Sequence, residues 1–243
     1  MAALVETMAY AGETPWHGLG KRVHHDLTPG QMLKEAELDW EVQKKPMYYV
    51  TDGESHVTEQ RALVRSSDNK LWTIVSDEWQ PVQNHQAFEF FHEFVMEGDM
   101  EMHTAGSLRD GKNVWALARV KESFEILGGD RVDSYLLFSN PHEYGKCVDI
   151  RFTPIRVVCN NTLTLALSSS SDLSVRLNHR RSFDGNLVKR TLGIASNKMN
   201  TYKETAEFLS SKSYKEESLH EYLSAIFPAM SKENKKVFSR PAA

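Results

Sequence analysis

A chain of 243 residues with 40% hydrophobic content can bury a substantial core, as one large domain or one domain with a helical appendage rather than two equal domains. Its two cysteines, Cys147 and Cys159, argue against a disulfide scaffold or a four-cysteine zinc site, and no apolar run reaches the roughly 18 residues of a membrane span. The net charge of −4 is unevenly placed: residues 1–150 carry 14 Lys+Arg against 25 Asp+Glu and residues 151–243 carry 15 against 8, as expected of a polyanion-binding face in the second part or of two halves that attract one another.

The first 27 residues read as an N-terminal arm. Within TPWHGLGKRVHHDL, Trp16 and His17 precede Gly18 and Gly20, and Lys21 and Arg22 follow them. Glycines in that spacing allow a small concavity of backbone amides for a phosphate, flanked by two cations. The stretch lacks the preceding strand and following helix of a dinucleotide fingerprint and the Lys-Ser/Thr ending of a P-loop. The bland alternative is an arm that Trp16 pins to the core. The N-terminus also lacks the basic-then-apolar order of a secretory signal, so a cytoplasmic protein with no membrane partner is expected.

Thr28-Pro29-Gly30-Gln31 has the residues of a capped helix start, with the helix expected to run to about Leu38. Three short extended pieces follow, Met47–Thr51, Arg61–Arg65 and Leu71–Ser76, as an antiparallel meander. Asn84 stands as N-cap of a helix whose Ala87, Phe88, Phe91, Phe94 and Val95 share one face, leaving His85 and His92 in solvent. Met100–Leu108 and Asn113–Lys121 form a hairpin about Asp110-Gly111, and Gly128-Gly129-Asp130 makes a further turn before Ser134–Ser139.

Asp149–Leu167, DIRFTPIRVVCNNTLTLAL, organises the rest. It reads as a strand that delivers Arg156 and Cys159 to a polar corner at Asn160, Asn161 and Thr162, from which a short helix departs. A strand end running into a helix N-terminus leaves free N–H groups able to hold an anion. A candidate ligand or phosphate site therefore comprises Trp16, His17, Gly18, Gly20, Lys21, Arg22, His142, Arg156, Cys159 and Asn161. Cys159 has candidate thiolate-stabilising neighbours in Arg156, His142 and His179, yet no hydrolase signature surrounds it, and no catalytic residue is assigned. The ten histidines include no H-x-x-x-H pair in metalloprotease order, so neither a metal nor a cofactor is expected.

Beyond Ser171 the composition turns basic. Arg176, His179, Arg180, Arg181, Lys189 and Arg190, with Phe183 among them, meet the needs of strand binding: cations for phosphates and an aromatic to stack on a base. Helical periodicity from about Asn186 to Leu209 and again from Glu217 to Phe227 makes residues 172–243 a basic, mainly helical segment after an α+β core at 28–171. The expected fold class is α+β, an antiparallel β-sheet with helices packed on one face and a helical C-terminal segment.

The segments TPWHGLGKRV, EWQPVQNHQAFEF, TAGSLRDGKNVWALARV and FTPIRVVCNNTLTLAL, in this order, resemble the phage/plasmid-like protein family (domain of unknown function 932), over roughly residues 8–210. The chain departs from the family's His-Asp-Gly-Ser in having His142-Glu143-Tyr144-Gly145 before the organising strand. The resemblance implies a mobile-element origin and action in the cytoplasm of a host cell, but carries no established activity. By outline the fold is similar to single-strand annealing proteins, which assemble as oligomers around DNA. The leading expectation is thus a protein that binds single-stranded DNA or another polyanion, as a homo-oligomer. The alternative is a small-ligand or nucleotide site around Cys159, in an enzyme or a protein that sequesters a host signal.

Overall fold

The computed structural model describes residues 3–121, 124–126, 130–168 and 174–191. The fold is α+β, built on a seven-stranded sheet in the order β12-β11-β10-β7-β6-β1-β2. Its strands are β1 (Val5–Ala11), β2 (Lys21–Val23), β6 (Met100–Leu108), β7 (Asn113–Val120), β10 (Tyr135–Pro141), β11 (Val148–Thr153) and β12 (Ser174–Leu177). A meander of β3 (Val42–Thr51), β4 (Glu54–Arg65) and β5 (Leu71–Ser76) forms a second sheet, and β8 (Phe124–Ile126) pairs with β9 (Asp130–Val132). The turn expected at Gly128-Gly129 and the helices expected beyond residue 191 lie outside the described residues.

Local chemistry accounts for the elements that follow short-range rules. In α1 (Pro29–Glu35), Thr28 Oγ1 accepts the Gln31 N–H at 3.3 Å and Gln31 Oε1 accepts the Thr28 N–H at 2.8 Å, a complete capping box with proline in the first turn. The helix stops at Glu35 rather than Leu38. Glu37 takes a left-handed φ of 57°, and the Leu38 N–H returns to Leu33 O at 3.0 Å, which turns Leu38 into the core. The β6–β7 turn carries positive φ at Arg109, Asp110 and Gly111, the twist a tight hairpin needs.

Two expectations are corrected at the second helix. Gln83, not Asn84, is the N-cap of α2 (Asn84–Glu89); the buried Asn84 amide instead donates to Leu38 O at 2.9 Å. The single helix expected over Phe88–Val95 is broken before α3 (His92–Met96). α2 ends at its C-cap Phe90, and the Phe91 N–H turns back to Phe88 O at 3.0 Å, an i to i−3 bond that tightens the chain while Phe88, Phe90 and Phe91 all stay buried. His85 and His92 are exposed, as expected.

Both faces of the large sheet are covered. One packs Ala105, Ala116, Leu136, Phe138 and Ile150 against α1, α2 and the meander residues Leu63, Trp72 and Val75. The other packs Tyr10, Trp115, Leu117 and Leu137 against Val157, Val158 and α4 (Asn160–Ser168). Helices α1 to α3 thus gather on one face, as expected, while α4 lies on the opposite one. Arg65 fastens the meander to the sheet: it bonds Glu6 of β1 at 2.8 Å and Asp68 at 2.6 Å, above the rings of Trp40 and Trp72.

The first 27 residues are more than an arm. β1 is an interior strand, antiparallel to β6 and parallel to β2, and its Met8–Ala11 stretch is buried. Likewise the boundary expected at residue 171 does not end the core, because β12 pairs with β11 and extends the sheet.

Candidate functional site

The strand of the organising stretch ends at Thr153, so Arg156, Val157 and Val158 belong to a loop rather than to β11. The corner is then closed by Thr162, not by the paired asparagines. Its Oγ1 accepts the N–H groups of Val158 at 2.9 Å and Cys159 at 3.0 Å and donates to Cys159 O. The Asn160 N–H donates to Ala3 O at 3.1 Å, so these amides serve the chain itself and not an anion. Cys159 is 1% exposed among Val157, Val158 and Leu163, with Sγ 3.5 Å from Thr162 Oγ1. A thiol so enclosed cannot meet a substrate, while Asn161 is exposed.

The glycine-rich loop and this corner do meet. His17 Nδ1 accepts the Leu19 N–H at 3.0 Å, which fixes the Nε2–H tautomer and lets Nε2 donate to Val158 O at 2.9 Å. Arg156 Nη2 donates to Glu13 O at 2.6 Å and Ala11 O at 3.3 Å. The loop is therefore sewn to the corner by His17 and Arg156. Gly20, at φ 98°, lies so close to Met8 that a Cβ would stand 2.9 Å from Met8 O. Gly18, at φ 70°, closes a turn by donating to Pro15 O.

Other members of the predicted site are elsewhere. Trp16 is 71% exposed, edge-on to His17, and pins nothing. Lys21 pairs with Glu35, and Arg22 is exposed. His142 lies just beyond the end of β10 remote from Tyr135 and Thr153, hence away from Cys159. It is fully buried, stacked on Trp72 at 5.2 Å and 5°, and its Nε2 is 3.4 Å from Asn84 Oδ1. Burial pushes its pKa down to about 3.

The basic stretch divides in the same way. His179 is buried and stacked on Trp79 at 4.2 Å, and burial lowers its pKa. Phe183 packs in the Phe90–Phe138 aromatic cluster, which removes it as a base-stacking platform. Arg176 pairs with Asp149 at 2.9 Å, and Lys189 pairs with Glu93 over the Phe94 ring. Arg180, Arg181 and Arg190 remain exposed, with no ion pair among the described residues.

What the sequence order hides is the surroundings of Arg180 and Arg181. The Gln80 N–H donates to His179 O at 2.5 Å, and Asp77, three residues earlier, binds Arg61 at 2.9 Å and accepts from Lys44 Nζ through its carbonyl at 2.7 Å. These contacts bring the arginine loop to the base of the β3–β4 hairpin. The outer half of that hairpin is uncovered on both faces: Tyr48 is 57% exposed and Tyr49 54%, with Tyr49 stacked on His56. The sequence signal was present in Tyr48-Tyr49-Val50 before the Asp52-Gly53 turn, but one strand of alternating residues does not reveal that neither face is covered.

Among the described residues no group of three His, Cys, Asp or Glu side chains is placed to hold a metal ion, and no helix is long and apolar enough to cross a membrane. No curated protein and no solved structure matches the chain. Residues 72–243, from β5 onward, match the family described as Domain of unknown function (DUF932), and the chain belongs to that family.

Proposed function

We propose that the protein is a phage- or plasmid-encoded binder of single-stranded nucleic acid, acting in the cytoplasm of the host cell. The observation that carries this reading is that the loop with exposed Arg180 and Arg181 is tied, through the Gln80–His179 bond and Asp77, to the base of a hairpin whose outer half exposes Tyr48 and Tyr49. Arginines supply the sequence-independent attraction for phosphates, and an exposed tyrosine on each face of the hairpin gives a base a surface to stack on. Compared with the sequence expectation, the aromatic role moves from Phe183 to the hairpin, and the cationic role narrows to Arg180, Arg181 and Arg190.

Fluorescence anisotropy of a labelled oligothymidylate across a salt series tests it. Arg180→Ala with Arg181→Ala is expected to weaken binding and to reduce the slope of log K against log salt by about 1.4, two phosphate contacts at about 0.7 each. Tyr48→Ala with Tyr49→Ala is expected to cost about 1–3 kcal/mol per stacked base with the salt slope unchanged. Absence of binding at low salt overturns the reading.

A further inference from the structure

A second cluster lies on the opposite face of the sheet from α1 and the meander, beneath the N-terminal arm. Pairing between β6 and β7 shifts register between Met102 and Thr104, leaving His103 as the extra residue of a bulge. Its side chain is 5% exposed, its ring is 5.2 Å from that of Tyr135, and Nδ1 has no hydrogen-bond partner. Nε2 lies 3.7 Å from the place a Cβ on Gly12 would occupy. Arg156 reaches the same spot from the other side, because the two carbonyls it binds, Ala11 and Glu13, flank Gly12. Its Nε is buried and has no partner.

The charges around the cluster are unevenly satisfied. Arg119 is paired with Glu101 and stands 3.8 Å from Asp133, which also accepts from the Tyr135 hydroxyl at 3.5 Å. His25 stands 3.8 Å from Glu101 and, like His103, within 4 Å of the Gly12 Cβ position. Arg156 has no carboxylate partner among the described residues; its guanidinium binds neutral carbonyls only. A half-buried cation without a counter-ion, beside a buried imidazole with an unused nitrogen, leaves a requirement for negative charge and for acceptor atoms.

We propose that Arg156 and His103 form a binding site for a phosphate group, free or esterified, that enters beside Gly12 and His25. The donor geometry favours phosphate over carboxylate. Both two-pronged faces of a guanidinium use Nη2, which Arg156 has committed to the backbone, so Nε and Nη1 donate singly rather than as the fork that suits a planar carboxylate, and the imidazole supplies a donor from a separate direction. Without ligand, burial first and then the charges of Arg156, Arg119 and His25 press the His103 pKa down to about 3. A bound dianion opposes these effects, so binding raises that pKa and takes up a proton as pH falls. Tyr135, Glu101 and Asp133 complete the set of titratable groups facing the imidazole.

The test is NMR of the histidine side chains in the full-length protein during titration with inorganic phosphate, and separately with a nucleoside monophosphate. Saturable shifts of the His103 resonances, with its titration moved to higher pH, are expected from one or both ligands; the better ligand identifies the free or the esterified source. His103→Gln and Arg156→Lys, each first shown to be folded by circular dichroism, are expected to lose about tenfold or more in phosphate affinity. Arg180→Ala with Arg181→Ala is expected to leave it unchanged, so this site stands or falls separately from strand binding. Unperturbed His103 resonances with both ligands, or phosphate affinity retained in His103→Gln, overturn the proposal.

Discussion

Replacing Arg151 by methionine probes a fully buried ion pair. Its side chain is 1% exposed; Nε and Nη2 each donate to Asp149 at 2.6 Å, while Nη1 donates to Ala166 O at 2.9 Å and Leu167 O at 3.2 Å. The guanidinium thus neutralises a buried carboxylate on its own strand and satisfies carbonyls in the last turn of α4. Methionine keeps most of the volume and removes the charge and every donor. Hydrogen bonds to charged groups contribute about 1.5–3 kcal/mol each, but they share one side chain and are not additive, so the loss expected for breaking one buried pair is about 3–5 kcal/mol. Arg176, which is half-exposed and 2.9 Å from Asp149, keeps the cost of Arg151→Met toward the lower end of that range. Asp149→Leu removes the compensation from the more deeply buried partner and belongs at the upper end. The double variant Arg151→Met with Asp149→Leu removes both charges and is expected to recover at least about 2 kcal/mol relative to the sum of the single variants. Urea denaturation followed by tryptophan fluorescence and circular dichroism supplies the three free energies. A loss below about 1 kcal/mol for Arg151→Met, or strict additivity in the double variant, refutes the reasoning.

Three further outcomes follow from the packing. His103 and His142 both have folded pKa values pressed down to about 3, so between that value and about 6.5 the unfolded chain binds more protons. Their contribution is intact above pH 6.5 and falls by about 1.4 kcal/mol per pH unit per histidine on acidification; urea melts at successive pH values should steepen accordingly, and His142→Gln should flatten the acid limb. Thr104 donates to Val157 O at 2.6 Å and accepts the Trp115 Nε1–H at 3.2 Å, both buried, so Thr104→Val should cost about 1–3 kcal/mol in the same melts despite its matched shape. A Cβ on Gly106 would overlap Thr7 O on the neighbouring strand and the Trp115 ring, so Gly106→Ala should cost about 1–3 kcal/mol or more and should shift tryptophan emission.

Where a feature depends on a few neighbouring residues, the sequence revealed it. The Thr28 capping box, the Asp52-Gly53 turn, and the Asp110-Gly111 turn with the strands it joins needed no distant information, whereas β4 begins at Glu54 and not at the expected Arg61, because its polar outer half carries no apolar signal. The interior position of β1 did not follow from VETMAYA, since its Glu6 reads as a solvent-facing residue until Arg65, 59 residues on, is known to meet it. The misassigned roles of His179 and Phe183 have the same origin: cations beside an aromatic suit a nucleic-acid surface, yet Trp79, Phe90 and Phe138 come from other elements and enclose these two rings. His103 gave no local sign either, because a bulge is a property of the pairing between two strands and not of either one alone.

The stitching of the N-terminal arm has a consequence during synthesis. Ala11 is secured by Arg156, a residue that the ribosome adds 145 positions later, and His17 waits for Val158. At about 5–20 residues per second, the interval is roughly 7–30 s. Over that time the β3–β4–β5 meander can fold from contiguous residues, and β6 can pair with β7, but β1 has no fastening at its far end. A nascent chain arrested before residue 156 should therefore expose the arm to protease while the meander is already protected. The arm, translated before the meander, would be among the last segments to become resistant.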